Sequence, residues 1–118
     1  MLAKTARISN SADFAKATKS GLRSTTNSLV GYLHLSNSGQ PARCGLILNK
    51  SVGNSVVRHS VARKVRHIIA ANLTSLPTGS LLVIRALPAS NTADLKSEAN
   101  DLILKLIKKA EQKNVVKS

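Results

Sequence analysis

Carboxylates are scarce in this chain. Five Asp and Glu stand against 18 Lys and Arg over 118 residues, a net charge of +13. Their placement is sharper than the total: after Asp13 the next acid is Asp94, so residues 14–93 carry ten Lys or Arg and no acid. Charge of one sign across most of a domain repels itself unless a polyanion neutralises it. RNA, DNA, an anionic membrane or an acidic protein would each serve. The same scarcity suggests no Ser-His-acid set. Aromatic residues make up 2%, with one Phe, one Tyr and no Trp. That excludes a binder working mainly by base stacking, so electrostatics must carry the affinity. The single cysteine, Cys44, excludes an internal disulfide, and His34, His59 and His67 have no Cys partners at zinc spacing. Cys44 lies in the apolar run C-G-L-I-L and reads as a buried structural thiol. Long apolar runs are missing too: the stretch 79–86 falls far short of the roughly 18–20 residues that span a bilayer. The start, M-L-A-K-T-A-R-I-S, lacks the apolar core of a secretory signal. No Gly-rich nucleotide loop occurs. The expectation is a cytoplasmic protein with no membrane partner, no catalytic residue and no metal site of its own.

Apolar residues at 42% are enough for one modest core. A single domain over 1–118 is expected, with a basic lead-in at 1–8 and a flexible polar tail at 113–118. Asn10 or Ser11 can cap a short helix carrying Asp13, Phe14 and Ala17 that stops by Gly21. Leu22 to Thr26 reads as a short strand. In Leu29 to Leu35, alternation puts Leu29, Gly31, Leu33 and Leu35 on one face and Val30, Tyr32 and His34 on the other. Ser36 to Pro41 is rich in turn residues and suggests a hairpin to a third strand, Arg43 to Leu48. A helix follows from about Ser55 to Leu73. Leu81 to Arg85 is nearly all apolar, as a central strand buried on both faces would be. Thr92 caps a last helix with Leu95, Ala99, Leu102, Ile103, Leu106 and Ile107 at three and four spacing. Its acids Asp94, Glu98 and Asp101 read as a solvated outer face. The order α-β-β-β-α-β-α gives an α+β fold, one sheet packed with helices.

The most informative stretch is residues 50–67, K-S-V-G-N-S-V-V-R-H-S-V-A-R-K-V-R-H. With Arg58 at zero on a helical wheel, His59, Arg63 and Arg66 fall at about 100°, 140° and 80°, and Val57, Val61, Val65 and Ile68 at about 260° to 340°. Arginines therefore share a solvent stripe and aliphatics a core stripe. A solvated face usually mixes signs for i,i+4 pairing, and this one has no acid. Guanidinium groups match phosphate oxygens with a planar, permanently charged fork. Nucleic acid is thus the favoured polyanion. The turn 52–54 before the helix offers backbone N–H groups to a phosphate, or is a plain turn leading into the helix. Phe14 reads as core before stacking platform, while Tyr32, on a sheet face with His34, suits either role.

The block from Lys50 to Arg66 resembles the signature of the bacterial ribonuclease P protein subunit, basic-basic-x-G-x-A-V-x-R-N-R-x-x-R-x-x-R. S-A-D-F near the start, L-V-G-Y, L-L-V-I-R-A-L-P and the final aliphatic helix follow in that family's order. The resemblance implies a protein that binds the catalytic RNA of ribonuclease P and the 5′ leader of precursor tRNA, with Mg²⁺ held by the RNA and no protein partner. It implies a ribosomal-protein second-domain-like fold with a left-handed β-α-β crossover, against the usual right-handed rule. Carried over by position, Lys50, Gly53, Asn54, Arg58, His59, Arg63 and Arg66 would bind RNA, and Phe14 and Tyr32 would line the leader cleft. His59, Ser60 and Thr18 depart from the family's Asn, Arg and second aromatic. The other reading is a small ribosome-associated or chaperone-like RNA-binding protein with no role in cleavage.

Overall fold

The computed structural model describes residues 7–8, 11–35, 42–72, 75–76, 79–88 and 94–117. Helix α1 (Ser11–Ser20) leads into strands β1 (Leu22–Thr25) and β2 (Leu29–His34). Strand β3 (Arg43–Leu48), a short 3₁₀ turn (Lys50–Val52) and helix α2 (Ser55–Asn72) follow, then β4 (Leu81–Ala86) and helix α3 (Leu95–Lys117). The element order is the expected one. Asn10, Thr92 and the 36–41 connection lie outside the described residues.

The sheet order is β1-β2-β4-β3. β4 is antiparallel to β2 and parallel to β3. β2 and β3 are therefore not neighbours, and the expected hairpin between them is not formed. The reason lies in β4, L-L-V-I-R-A, five of whose six residues are buried. So apolar a strand belongs in the middle, where both faces are covered. β3, α2 and β4 make the β-α-β unit to which the resemblance attaches its crossover.

The two faces of the sheet are unequal. On one, α2 and α3 close the main core through Val61, Val65, Ile69, Leu102, Ile103 and Leu106, with Leu29, Leu33, Leu82 and Ile84 below. Each such side chain contributes about 1.5–3 kcal/mol by leaving water. On the other, α1 covers a smaller cluster of Ile8, Ala17, Leu81 and Val83, against which Phe14, Tyr32 and Ile47 pack. α2 starts where Asn54 Oδ1 accepts from the N–H of Val57 at 3.0 Å, an N-cap that satisfies one of the unpaired first-turn donors. It ends at Asn72, whose Nδ2 donates to Ile68 O at 2.9 Å and to Asn100 Oδ1 at 3.3 Å, tying α2 to α3.

Helical backbone runs on to Lys117. One further expectation needs correcting. Glu98 is more than a solvated face. Its Oε2 accepts from Ser28 Oγ at 2.6 Å and its Oε1 from the Ser28 N–H at 3.2 Å, so α3 clamps the β1–β2 turn.

Candidate nucleic-acid interface

The cations of α2 are split rather than gathered on one stripe. Arg58 and Arg66 are half-buried, while His59, Arg63, Lys64 and His67 are exposed. Arg58 and Arg66 stand eight residues apart, about 12 Å along the helix. Ala62 lies between them and is 5% exposed. The cause is the sheet edge: α2 packs along β3, an outer strand, which covers the flank that the wheel alone leaves open. A groove of about 250 Å³ results, lined by Leu48, Ser55, Arg58, His59, Ala62 and Arg66. Within this arrangement Arg58 Nε is buried and has no hydrogen-bond partner. A buried unpaired donor is unfavourable by about 1–3 kcal/mol. A bound anion would remove that penalty.

The turn before α2 is built differently from a phosphate cradle. The N–H groups of Val52 and Gly53 donate to the carbonyls of Asn49 and Lys50, at 3.1 Å each. Those amides are therefore already used. Gly53 has φ 152° and ψ −169°, a region open essentially only to glycine. A Cβ there would also come within 2.8 Å of Val57 Cγ1. Gly53 thus shapes the path from β3 into α2, and Lys50 and Asn54 sit exposed on either side of it.

A second cavity, of about 140 Å³, adjoins the same strand and is lined by Arg7, Ile8, Phe14, Cys44, Gly45, Leu46 and Arg66. Arg66 lines both cavities, so the cationic groove and the α1 side of the sheet communicate along β3. The segment before α1 helps shape this edge: the Ile8 N–H donates to Cys44 O at 2.8 Å. Burial pushes the Cys44 thiol up to about 11, against the opposing pull of Arg66 and Arg7. At 2% exposure it is a core thiol, as expected from the sequence.

Register places the aromatics. Tyr32 pairs with Val83, and Val83 with Gly45, so these residues form one row across the face under α1. At about 4.8 Å per strand, Tyr32 and Gly45 are about 10 Å apart. The Phe14 ring lies on Gly45. Both rings are half-buried and join the same small cluster, so each serves the core and presents an edge to solvent. The neighbouring row on this face is Val30, Arg85 and Ile47. Arg85 is exposed there, a cation in the middle of an apolar strand.

Among the described residues no group of three or more His, Cys, Asp or Glu is placed to hold a metal ion. Among them also, no helix is long and apolar enough to cross a membrane.

Comparison with known proteins identifies the family. Residues 2–111 match the family model Ribonuclease P. A ribonuclease P protein component of Pseudarthrobacter chlorophenolicus is 45% identical over 93 residues, covering 79% of this chain and 68% of the relative. One from Streptomyces bikiniensis is 38% identical over 110 residues, covering 86% and 89%. The chain belongs to the ribonuclease P protein family. It is accordingly an RNA-binding subunit of the ribonucleoprotein that processes tRNA 5′ ends. The chaperone-like alternative is not favoured. Two solved structures share the fold. The Staphylococcus aureus RNase P protein superposes with a TM-score of 0.73 at 21% identity, covering 91% of this chain and 96% of that one. The Thermotoga maritima protein gives 0.69 at 21%, covering 87% and 96%.

Of the positions singled out in the sequence, Arg58, His59 and Arg66 meet in the groove. Phe14 and Tyr32 meet on the α1 face, and Arg66 joins Phe14 at the second cavity. Arg63 does not join them, because it projects from the exposed side of α2. The sequence reading missed Arg7 and Arg85. Arg85 had a signal, since it interrupts an apolar strand on the Tyr32 face. Arg7 had none, because its place depends on a bridge to Cys44, 37 positions away.

Proposed function

We propose that the protein binds RNA in two ways at once, with α2 gripping the phosphate backbone of the catalytic RNA and the α1 side of the sheet holding the single-stranded 5′ leader of precursor tRNA. The observation that carries this reading is Arg66, shared between the cationic groove and the cavity walled by Phe14. One continuous surface thus offers phosphate donors beside an aromatic edge, the combination single-stranded RNA needs. Arg58, with its unpaired Nε, and Arg66 supply charge-assisted bonds to phosphate oxygens. Arg63, Lys64 and Lys50 extend the positive field along the outer side. Phe14 and Tyr32 give bases an apolar edge, and Arg85 offers a cation on the open row beside them.

The role of this chain is to bind and orient. The acids needed to hold Mg²⁺ are not grouped among its described residues, so the residues present do not fit a protein-held ion. RNA phosphates are the fitting ligands for a hard cation that keeps most of its waters. Such an ion would supply Lewis-acid chemistry at the scissile phosphate. The protein would raise the local affinity for substrate and lower the repulsion between two polyanions.

The test compares the assembled enzyme on precursor tRNAs with leaders of several nucleotides and on mature tRNA. Tyr32→Ala is expected to weaken precursor binding about fivefold, the low end for one base stack, and to leave mature tRNA binding unchanged. Equal loss on both would assign Tyr32 to the fold or to the catalytic RNA and remove the leader from this face.

A further inference from the structure

The Phe14 ring occupies a place that two other residues define. Asp13, its neighbour in the first turn of α1, pairs with Arg43 of β3: Asp13 Oδ2 to Arg43 Nη2 is 3.0 Å, with the side chains 14% and 29% exposed. Two residues on along the same face of β3 comes Gly45. A Cβ on Gly45 would stand 2.5 Å from Phe14 Cζ and 2.6 Å from Cε1, which the ring cannot tolerate without moving. The ion pair and the bare glycine are thus adjacent anchor points for one turn of helix. α1 has only ten residues, too short to hold its own position, and among the described residues no other helix packs on that cluster. Asp13 also lies at the positive end of the helix, where a carboxylate is favoured. Asp13 and Asp94 bound the 80-residue stretch that carries no acid.

We infer that Asp13, Arg43 and Gly45 are positioning residues for the leader cleft, fixing the Phe14 ring against β3 at the wall of the cavity shared with Arg66. This rests on the leader reading proposed above. Asp13 neutralises Arg43 and so withholds that guanidinium from phosphate, while its own carboxylate is held away from the RNA path. Gly45 lets the ring lie against the strand, and any larger residue lifts it into the space a base would occupy.

The experiment uses the assembled enzyme and measures binding of precursor tRNA with a leader, and of mature tRNA, for Phe14→Ala, Asp13→Asn, Gly45→Ala and the exchanged pair Asp13→Arg with Arg43→Asp. Asp13→Asn and Gly45→Ala are each expected to weaken leader-dependent binding about three- to fivefold, within the worth of one stacking contact, with mature tRNA binding and catalytic-RNA affinity unchanged. Added to Phe14→Ala, Asp13→Asn should bring no further loss, the non-additivity of residues acting through one another, and the exchanged pair should return to within about twofold of the wild type. If Phe14→Ala weakens leader binding while Asp13→Asn and Gly45→Ala do not, the positioning inference is wrong and the cleft stands. If Phe14→Ala has no leader effect, the cleft reading falls and takes the inference with it. Should Gly45→Ala not fold, Asp13→Asn and its rescue by the exchanged pair decide the matter alone.

Discussion

Replacing Glu98 should destabilise the domain in a way that depends on pH. The carboxylate accepts two bonds from Ser28, at 2.6 Å from the hydroxyl and 3.2 Å from the N–H, and Ser28 is fully buried. Hydrogen bonds to a charged group contribute about 1.5–3 kcal/mol, and a buried hydroxyl left unpaired costs about 1–3 kcal/mol. Glu98→Ala should therefore cost about 3 kcal/mol. Glu98→Gln keeps an acceptor but loses the charge, and should cost about half that. For a domain of this size 1 kcal/mol moves Tm by about 4 °C, so the expected falls are about 12 °C and about 6 °C. The Ser28 hydroxyl bond, chiefly, holds the Glu98 carboxyl below its ordinary value of 4.5; burial opposes it, and bonds from Thr26 and the Ser28 and Asn27 backbone assist. With the folded value below the unfolded one, the unfolded chain takes up the proton first as pH falls. The contribution is then complete well above pH 4.5 and fades below it. Thermal melts of wild type and Glu98→Gln from neutral pH to about pH 3 read this, because the other carboxylates titrate alike in both. The gap should narrow below pH 4.5. A gap that stays constant to the acid limit would refute the clamp as a charged one.

Arg58→Ala, Arg63→Ala and Arg66→Ala should each weaken binding to the catalytic RNA and lower the slope of log K against log salt by about 0.7–0.9, one phosphate apiece. Unchanged slopes in all three would remove α2 from the phosphate contacts. Cys44 should resist alkylation in the native protein. At pH 8 its shift from 9.0 to about 11 alone slows the reaction about a hundredfold relative to the unfolded chain. Labelling at the unfolded rate would mean that this strand edge opens readily.

The fold was legible wherever a periodic pattern met a clear boundary. The turn ahead of Ser55 and the aliphatic spacing of α2 bounded it within a residue, and the apolar run of β4 announced a central strand. What β4 separates was not legible. A turn-rich connection between two strands reads as a hairpin, and only the competition of β4 for both partners shows otherwise. The site divides in the same way. Helical angles put Arg58, His59, Arg63 and Arg66 on one stripe, but a wheel has no neighbours and could not show that β3 half-buries Arg58 and Arg66 while Arg63 stays open and outside the groove. Asp13 looked like a helix-dipole residue because its partner, Arg43, lies 30 positions away. Glu98 looked like a solvated acid for the same reason, its partner Ser28 being distant in sequence. Long-range pairs of single residues leave no periodic trace.

The central claim is that this chain assists an RNA-catalysed cleavage by binding both RNAs. The most direct measurement reconstitutes the protein with a bacterial ribonuclease P RNA and follows removal of the 5′ leader from precursor tRNA at low Mg²⁺, beside the RNA alone and the protein alone. The account predicts faster cleavage with both components than with RNA alone, and no cleavage by RNA-free protein. Equal rates with and without the protein, or robust cleavage by the protein by itself, would contradict it.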